Sequence, residues 1–117
     1  MFIIRIKPFI EQELLDASMC QKNNDAHREF YHLERAHVLG QESTYWHVKV
    51  HVLMLIWGIR NRAPKEIVGQ VMRILGAATK TAVGLVPKGN TGGANVSPFK
   101  KMPVLEELEL LILKAKL

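Results

Sequence analysis

The chain contains a single cysteine, Cys20, among its 117 residues. One thiol excludes a disulfide within the chain and fits a reducing compartment best. Long apolar runs are also missing, since the longest, from Val50 to Ile59, is about half a membrane span. Arg5, Lys7 and Pro8 interrupt the apolar start, and no small-residue cleavage signal follows, so no signal peptide is predicted. We therefore expect a soluble, cytoplasmic protein with no membrane partner.

Signatures of nucleic-acid binding and of common hydrolases are absent as well. The net charge is +5 and the pI about 9.6, but the basic residues are scattered along the chain. There is no zinc-finger spacing and no aromatic–glycine RNA-binding motif. No serine lies in a nucleophile elbow. The pattern favours a mildly basic, solvated surface over a nucleic-acid partner.

The length and the helical periodicity predict one all-α domain spanning residues 1–117. Caps, glycines and prolines predict about five helices with short early connections, a pattern typical of a compact bundle. The first two should form a tetratricopeptide-like hairpin, and the third, apolar almost all round, should be central. The predicted helices run from Pro8 to about Gln21, Ala26 to Leu39, Thr44 to Arg60, Lys65 to Leu85 and Val104 to Lys114.

A loop rich in glycine, asparagine and proline separates the last two predicted helices, from Val86 to Pro103. Glycines allow backbone conformations that other residues avoid, and such a loop can cradle an anion with its amides. An ordered loop that only covers one end of the bundle is the favoured alternative. The residues that would form an anion site or pocket are Lys88, Gly89, Asn90, Gly92, Gly93 and Asn95.

All five histidines fall between His27 and His51. At about 100° per residue, His37 points toward the apolar face of its helix, and Glu34 lies three residues before it. His47 and His51 are four apart on one inward stripe. His27 and His32 point elsewhere and should lie at the surface or rim.

The short connection after Gly40 makes the second and third helices antiparallel neighbours, which lets three imidazoles and a carboxylate converge. His37, His47 and His51, with Glu34 as fourth ligand or orienting group, could bind zinc, copper or iron. Histidines on an apolar face are also often satisfied core residues, so the pattern alone leaves both interpretations open. Four further residues could orient the ligands: Arg35, Gln41, Gln70 and Arg73.

Four stretches, LERAHVLGQ, HVKVHVLML, EIVGQVMR and GNTGGANV, resemble a small bacterial family. That family is catalogued as a domain of unknown function and is often encoded beside heavy-metal-resistance genes. The similarity covers about Asp25 to Pro103. Near its end, members typically have a further proline that this chain replaces with Leu105. The family pattern falls here on Leu33 to His37, Gly40, Gln41, His47, His51, Gly69, Gln70, Arg73 and Gly89 to Val96.

The resemblance implies that the inward histidines and the glycine loop belong to one signature and that a metal-related role fits. The leading hypothesis is a small metal-binding protein in metal resistance or homeostasis, with a divalent transition metal as its cofactor. A helical protein-interaction module with a hydrogen-bonded polar core and no metal is the alternative, and a protein partner or homo-oligomer is compatible with both. An enzyme would need a pocket that exposes the histidines, so no catalytic residue is assigned.

Overall fold

The computed structural model describes residues 1–82, 90–94 and 101–117, and within these ranges it contains five helices and no strand. This is the all-α bundle that the sequence predicts. No helix in this part of the chain combines the length and the hydrophobicity that a membrane span requires. The helices are α1 (Phe2–Lys22), α2 (Ala26–Gly40), α3 (Thr44–Arg60), α4 (Pro64–Ala82) and α5 (Glu106–Lys116).

Helix α1 begins six residues earlier than Pro8, the start that the sequence predicts. A proline within a helix removes one backbone N–H, which leaves the carbonyl of the residue four positions before it without its helical partner. That residue is Ile4, which is exposed, so water can satisfy the carbonyl. Pro8 is therefore tolerated inside the helix instead of marking its start.

The caps of α2 and α3 agree with the sequence. The Asp25 side chain accepts a hydrogen bond from the backbone N–H of Arg28, and the Ser43 hydroxyl accepts one from Trp46. Each bond satisfies one of the backbone donors that a helix start leaves without an intrahelical partner. Only Gln41, Glu42 and Ser43 lie between the two helices, which holds the end of α2 against the start of α3.

The helices pack in the order α1, α2, α3, α4, with α5 lying against α1 and α2. The likeness of the α1–α2 pair to a tetratricopeptide hairpin stays a prediction. The Cα radius of gyration is 13.3 Å, which matches the value of about 13 Å for a folded chain of this length. The largest fully buried apolar side chains are Ile6, Ile10, Leu39, Val50, Met54 and Leu108.

Helix α3 is less enclosed than its composition suggests. One side is buried between α2 and α4, and carries His47, Val50, His51 and Met54. The opposite side is exposed to solvent, although it too is apolar. The prediction of a fully central third helix is therefore wrong, because only α2 and α4 among the described helices pack on it.

Residues 90–94 and 101–103 are the described parts of the glycine-rich loop, and residues 90–94 lie between α2 and α4. Asn90, Gly92 and Gly93 are buried there. The other predicted loop residues, Lys88, Gly89 and Asn95, lie outside the described residues, as does the predicted end of the fourth helix at Leu85.

Candidate metal centre

Three histidines meet in the interior, between the last turn of α2 and the first half of α3. His37, His47 and His51 are 2%, 6% and 3% exposed. Their ring centroids lie 4.7–4.9 Å apart. One ring nitrogen from each falls within 4.8 Å of the other two. Three imidazoles therefore point at one small volume.

The hydrogen bonds of His37 and His51 decide which ring nitrogen carries the proton. His37 Nδ1 is 2.7 Å from the backbone carbonyl of Asn90, which can only accept. His51 Nδ1 is 2.6 Å from Oε1 of Gln70. The Gln70 amide nitrogen donates to the Gly92 carbonyl at 2.8 Å and to the Glu66 carboxylate at 2.5 Å, so its oxygen must face His51. Both histidines therefore donate from Nδ1.

When neutral, each of these two rings then carries its lone pair on Nε2, and the two Nε2 atoms face each other at 3.1 Å. Two acceptors at this distance repel unless a cation lies between or beside them. Nitrogens bound tetrahedrally to one zinc ion at about 2.1 Å are about 3.4 Å apart. The observed separation is close to that value, so small ring rotations would suffice for both to coordinate one ion.

A proton is a poor candidate for that cation. Burial lowers the pKa of His37 well below its usual range, and His51 and His47 lower it further, although the Asn90 carbonyl opposes this. Burial also lowers the pKa of His51 to about 4, against the opposing hydrogen bond to Gln70. At neutral pH both imidazoles are therefore neutral, and their lone pairs are available to a metal.

The segment 90–94 closes over the His37 ring. Gly92 has φ +85°, and a Cβ atom built on it would lie 2.5 Å from Cδ2 of His37. Only glycine allows both this backbone conformation and this approach. The Asn90 side chain accepts a bond from the Gly92 N–H at 2.9 Å, which fixes the turn that presents the Asn90 carbonyl to His37. Residues 90–94 of the glycine loop are thus part of the same buried site as His37.

The predicted fourth ligand, Glu34, is on the same helix as His37 but is not one of the described residues whose ligating atoms gather within 4.8 Å. Glu34 lines a neighbouring surface pocket with Thr91 and Leu108. Burial raises the pKa of Glu34, and a hydrogen bond to Thr91 opposes the rise. Its role as a ligand or orienting group stays a prediction.

The four predicted orienting residues lie at different distances from the histidines. Gln70 contacts His51 directly, and the positive charge of Arg73 is near enough to lower the pKa of both His37 and His51. Gln41 is buried at the end of α2. Arg35 is turned away toward α1 and α5, where it pairs with Glu13 and Glu107.

Sequence reasoning missed Glu66. Its carboxylate accepts from Gln70 and from the backbone N–H of Ala94, at 3.1 Å from Oε2. It therefore joins α4 to the 90–94 segment and orients the amide that holds His51. The signal was available, because Glu66 and Gln70 are four residues apart on one face of a helix.

The remaining histidines are not part of this cluster. His27 is exposed. His32 is half-buried, and its Nδ1 lies 2.8 Å from Glu13, which also accepts from Arg35 at 2.9 Å. Asp16 lies near this pair. Since Arg35 already supplies the positive charge here, this second group is an ion-pair network that joins α1 to α2.

A family profile described as a protein of unknown function, DUF3703, matches residues 4–112. Searches of curated proteins and of solved structures gave no match.

Proposed function

The chain belongs to the DUF3703 family, and we propose that it is a metal-binding protein that holds one divalent transition metal on His37, His47 and His51. The observation that carries this proposal is the pair of Nε2 atoms facing each other at 3.1 Å inside the bundle. Both rings are locked with Nδ1 as donor, so neither can turn a proton toward the other while both are neutral. A metal ion converts this repulsion into two bonds.

The surroundings of the rings support the same proposal. Ligating histidines almost always donate their second ring N–H to a carbonyl or carboxylate, which fixes the tautomer and raises the basicity of the ligating nitrogen. The Asn90 carbonyl and the Gln70 amide oxygen supply that bond here. An all-imidazole set suits zinc, copper or iron. With three protein ligands, the fourth position falls to water or to Glu34, which precedes His37 by one turn of α2.

A role in metal resistance or homeostasis is part of this proposal. Burial of the site favours holding an ion over chemistry on a bulky substrate, since the three rings are almost inaccessible. The enzyme interpretation, which needs the histidines to line an open pocket, is correspondingly disfavoured. A polar core with no metal is the main alternative, because His37, His51 and Gln70 do have hydrogen-bond partners.

Metal analysis of protein purified without a histidine tag tests the proposal. We expect close to one equivalent of zinc, copper or iron per chain, removable by chelator, and a thermal shift when the metal is restored. His47→Ala and His51→Ala should each lower metal affinity by roughly 100-fold or more, since each removes a ligand.

His27→Ala is the matched control, because His27 lies on α2 but is exposed. It should bind metal as the wild type does. No bound metal and no thermal shift with zinc, copper, iron or nickel would leave the polar-core interaction module as the better description. Equal losses in the His27 and His51 variants would indicate nonspecific binding by exposed imidazoles.

A further inference from the structure

Helix α4 departs from the pattern of an ordinary amphipathic surface helix, because it turns a polar stripe inward and leaves apolar residues exposed. Its polar residues Glu66, Gln70 and Arg73 recur at intervals of four and three, and the first two bond to the 90–94 segment inside the protein. Its apolar residues Val68, Val71 and Met72 face solvent. A surface helix normally buries its apolar stripe and exposes its polar one. Among the helices of the described chain, α4 packs against α3 alone.

The exposed apolar side of α3 continues this surface. Gly58 of α3 contacts Ile67 of α4, which fixes the direction in which the two helices face each other. Measured from that contact at about 100° per residue, the exposed residues lie roughly 100–160° around the axis of α3 and roughly 40–140° around that of α4, in the same rotational sense. Because the helices are antiparallel, both stripes fall on one side. We call this surface the α3–α4 face: Val52, Ile56, Ile59, Val68, Val71 and Met72.

The size and composition of the α3–α4 face match half of a homodimer interface. Its six side chains are between 37% and 67% exposed, which amounts to on the order of 500 Å² of apolar surface. A standard interface buries about 800 Å² per partner, of which about 65% is apolar in homodimers. An apolar centre without charge is typical of permanent pairing between copies, whereas transient partners meet on more polar surfaces.

We propose that the α3–α4 face binds the same face of a second copy of this chain, so that two helical hairpins form a four-helix layer around a two-fold axis. The charges are compatible with this arrangement. The exposed basic residues Arg62 and Lys65 lie at the turn end of the hairpin. When the hairpins pair in antiparallel fashion, the two turn ends lie at opposite ends of the interface. Glu66, the only acidic residue of α3 and α4, points inward and stays out of the contact.

Sedimentation and light scattering on the full chain test this inference, with and without chelator. The expected mass is twice 13.3 kDa at concentrations of about 10–100 µM. Met72→Glu and Met72→Lys should each raise the dimer dissociation constant by at least roughly 30-fold, because Met72 is the most exposed side chain of the face and either charge would be buried in the interface. Circular dichroism should show that both variants keep their helices.

Leu110→Glu is the control, since Leu110 is exposed to a similar degree on α5, away from the α3–α4 face. It should leave the dimer intact. A wild-type mass of 13.3 kDa over this range would overturn the proposal. Binding of such a monomer to anionic phosphatidylglycerol vesicles through the α3–α4 face would identify a membrane surface as the occupant instead. A dimer that persists in both Met72 variants and dissociates in the Leu110 variant would place the interface elsewhere. None of these outcomes depends on metal binding.

Discussion

At the scale of single residues, the helical wheel predicts the burial of the histidines and fails to predict their partners. His37, His47 and His51 lie on inward faces by periodicity alone, and all three are buried. The carbonyl that orients His37 belongs to Asn90, which is 53 residues away in the chain. No local pattern encodes a contact of that kind, because it depends on how a loop folds back over two packed helices. The same holds for the hydrogen bond between the Glu34 carboxylate and Thr91.

Gly92 offers the most sensitive test of the loop. Gly92→Ala would place a Cβ atom against the His37 ring and force a non-glycine residue into a left-handed backbone conformation. We expect the free energy of unfolding to fall by about 2–4 kcal/mol, measured by chemical denaturation. Metal affinity should fall as well, because the displaced segment no longer holds His37 through Asn90.

Gly58→Ala provides the comparison. A Cβ atom there would meet Cγ1 of Ile67 at 3.3 Å within regular helix, a contact that a small shift relieves. Its stability should stay within about 1 kcal/mol of the wild type, because the gain in helix propensity offsets the tighter packing. Equal stability and equal metal affinity in the two variants would mean that residues 90–94 do not pack on His37.

At the scale of elements, most helix bounds follow from the sequence, while apolar periodicity alone would orient α4 incorrectly. Periodicity identifies α4 as a strongly amphipathic helix, and the usual rule would turn Val68 and Met72 toward the core. The structure turns Glu66 and Gln70 inward instead, because these side chains hold His51 and the loop. Local rules are expected to fail where a functional site needs polar groups in the interior. The start of α1 was missed for a different reason, since Pro8 is tolerated within the helix.

Gln70 is the main link between α4 and the histidines, so its removal should lower both the free energy of unfolding and the metal affinity. Gln70→Leu leaves the Nδ1–H of His51, the Gly92 carbonyl and the Glu66 carboxylate without this partner. We expect a loss of about 2–4 kcal/mol in the free energy of unfolding. We also expect a 10- to 100-fold loss in metal affinity, measured by competition with a chromophoric chelator.

Gln12→Ala is the control for this prediction. Gln12 is exposed and donates to Asp16, one turn away on α1. Its loss should cost at most about 0.5 kcal/mol and leave metal affinity unchanged. Should Gln70→Leu behave in the same way, the hydrogen bond to His51 would have no part in orienting a ligand.

At the scale of the whole molecule, the buried histidines make the stability of the metal-free protein depend on pH. The His51 pKa is about 4 in the folded chain and about 6.5 when unfolded. Between these values the unfolded chain binds more protons, so the free energy of unfolding falls as the pH falls. His51 alone contributes a loss of roughly 3 kcal/mol between pH 6.5 and 4. His37 acts in the same direction.

Urea denaturation of chelator-treated protein at a series of pH values measures this loss. Between pH 6.5 and 4 the free energy of unfolding should fall less steeply in His51→Gln than in the wild type. The carboxylates contribute equally to both curves, so their effect cancels in the comparison. Parallel curves for the two proteins would contradict this prediction, because they would show that protonating His51 in the folded state costs no free energy.

The bond between His37 and Asn90 also has a consequence for the order of events during synthesis. A ribosome releases α2 and α3, with all five histidines, long before it reaches the segment that fixes the His37 ring. Until residues 90–94 emerge and fold back, the His37 ring is neither enclosed nor held in one tautomer, and a captured ion could exchange with the surrounding solution. Closure spans about half the chain, so it belongs among the slower, non-local steps of folding. The proposed site can therefore retain an ion only after α1 to α4 and residues 90–94 have all been synthesised.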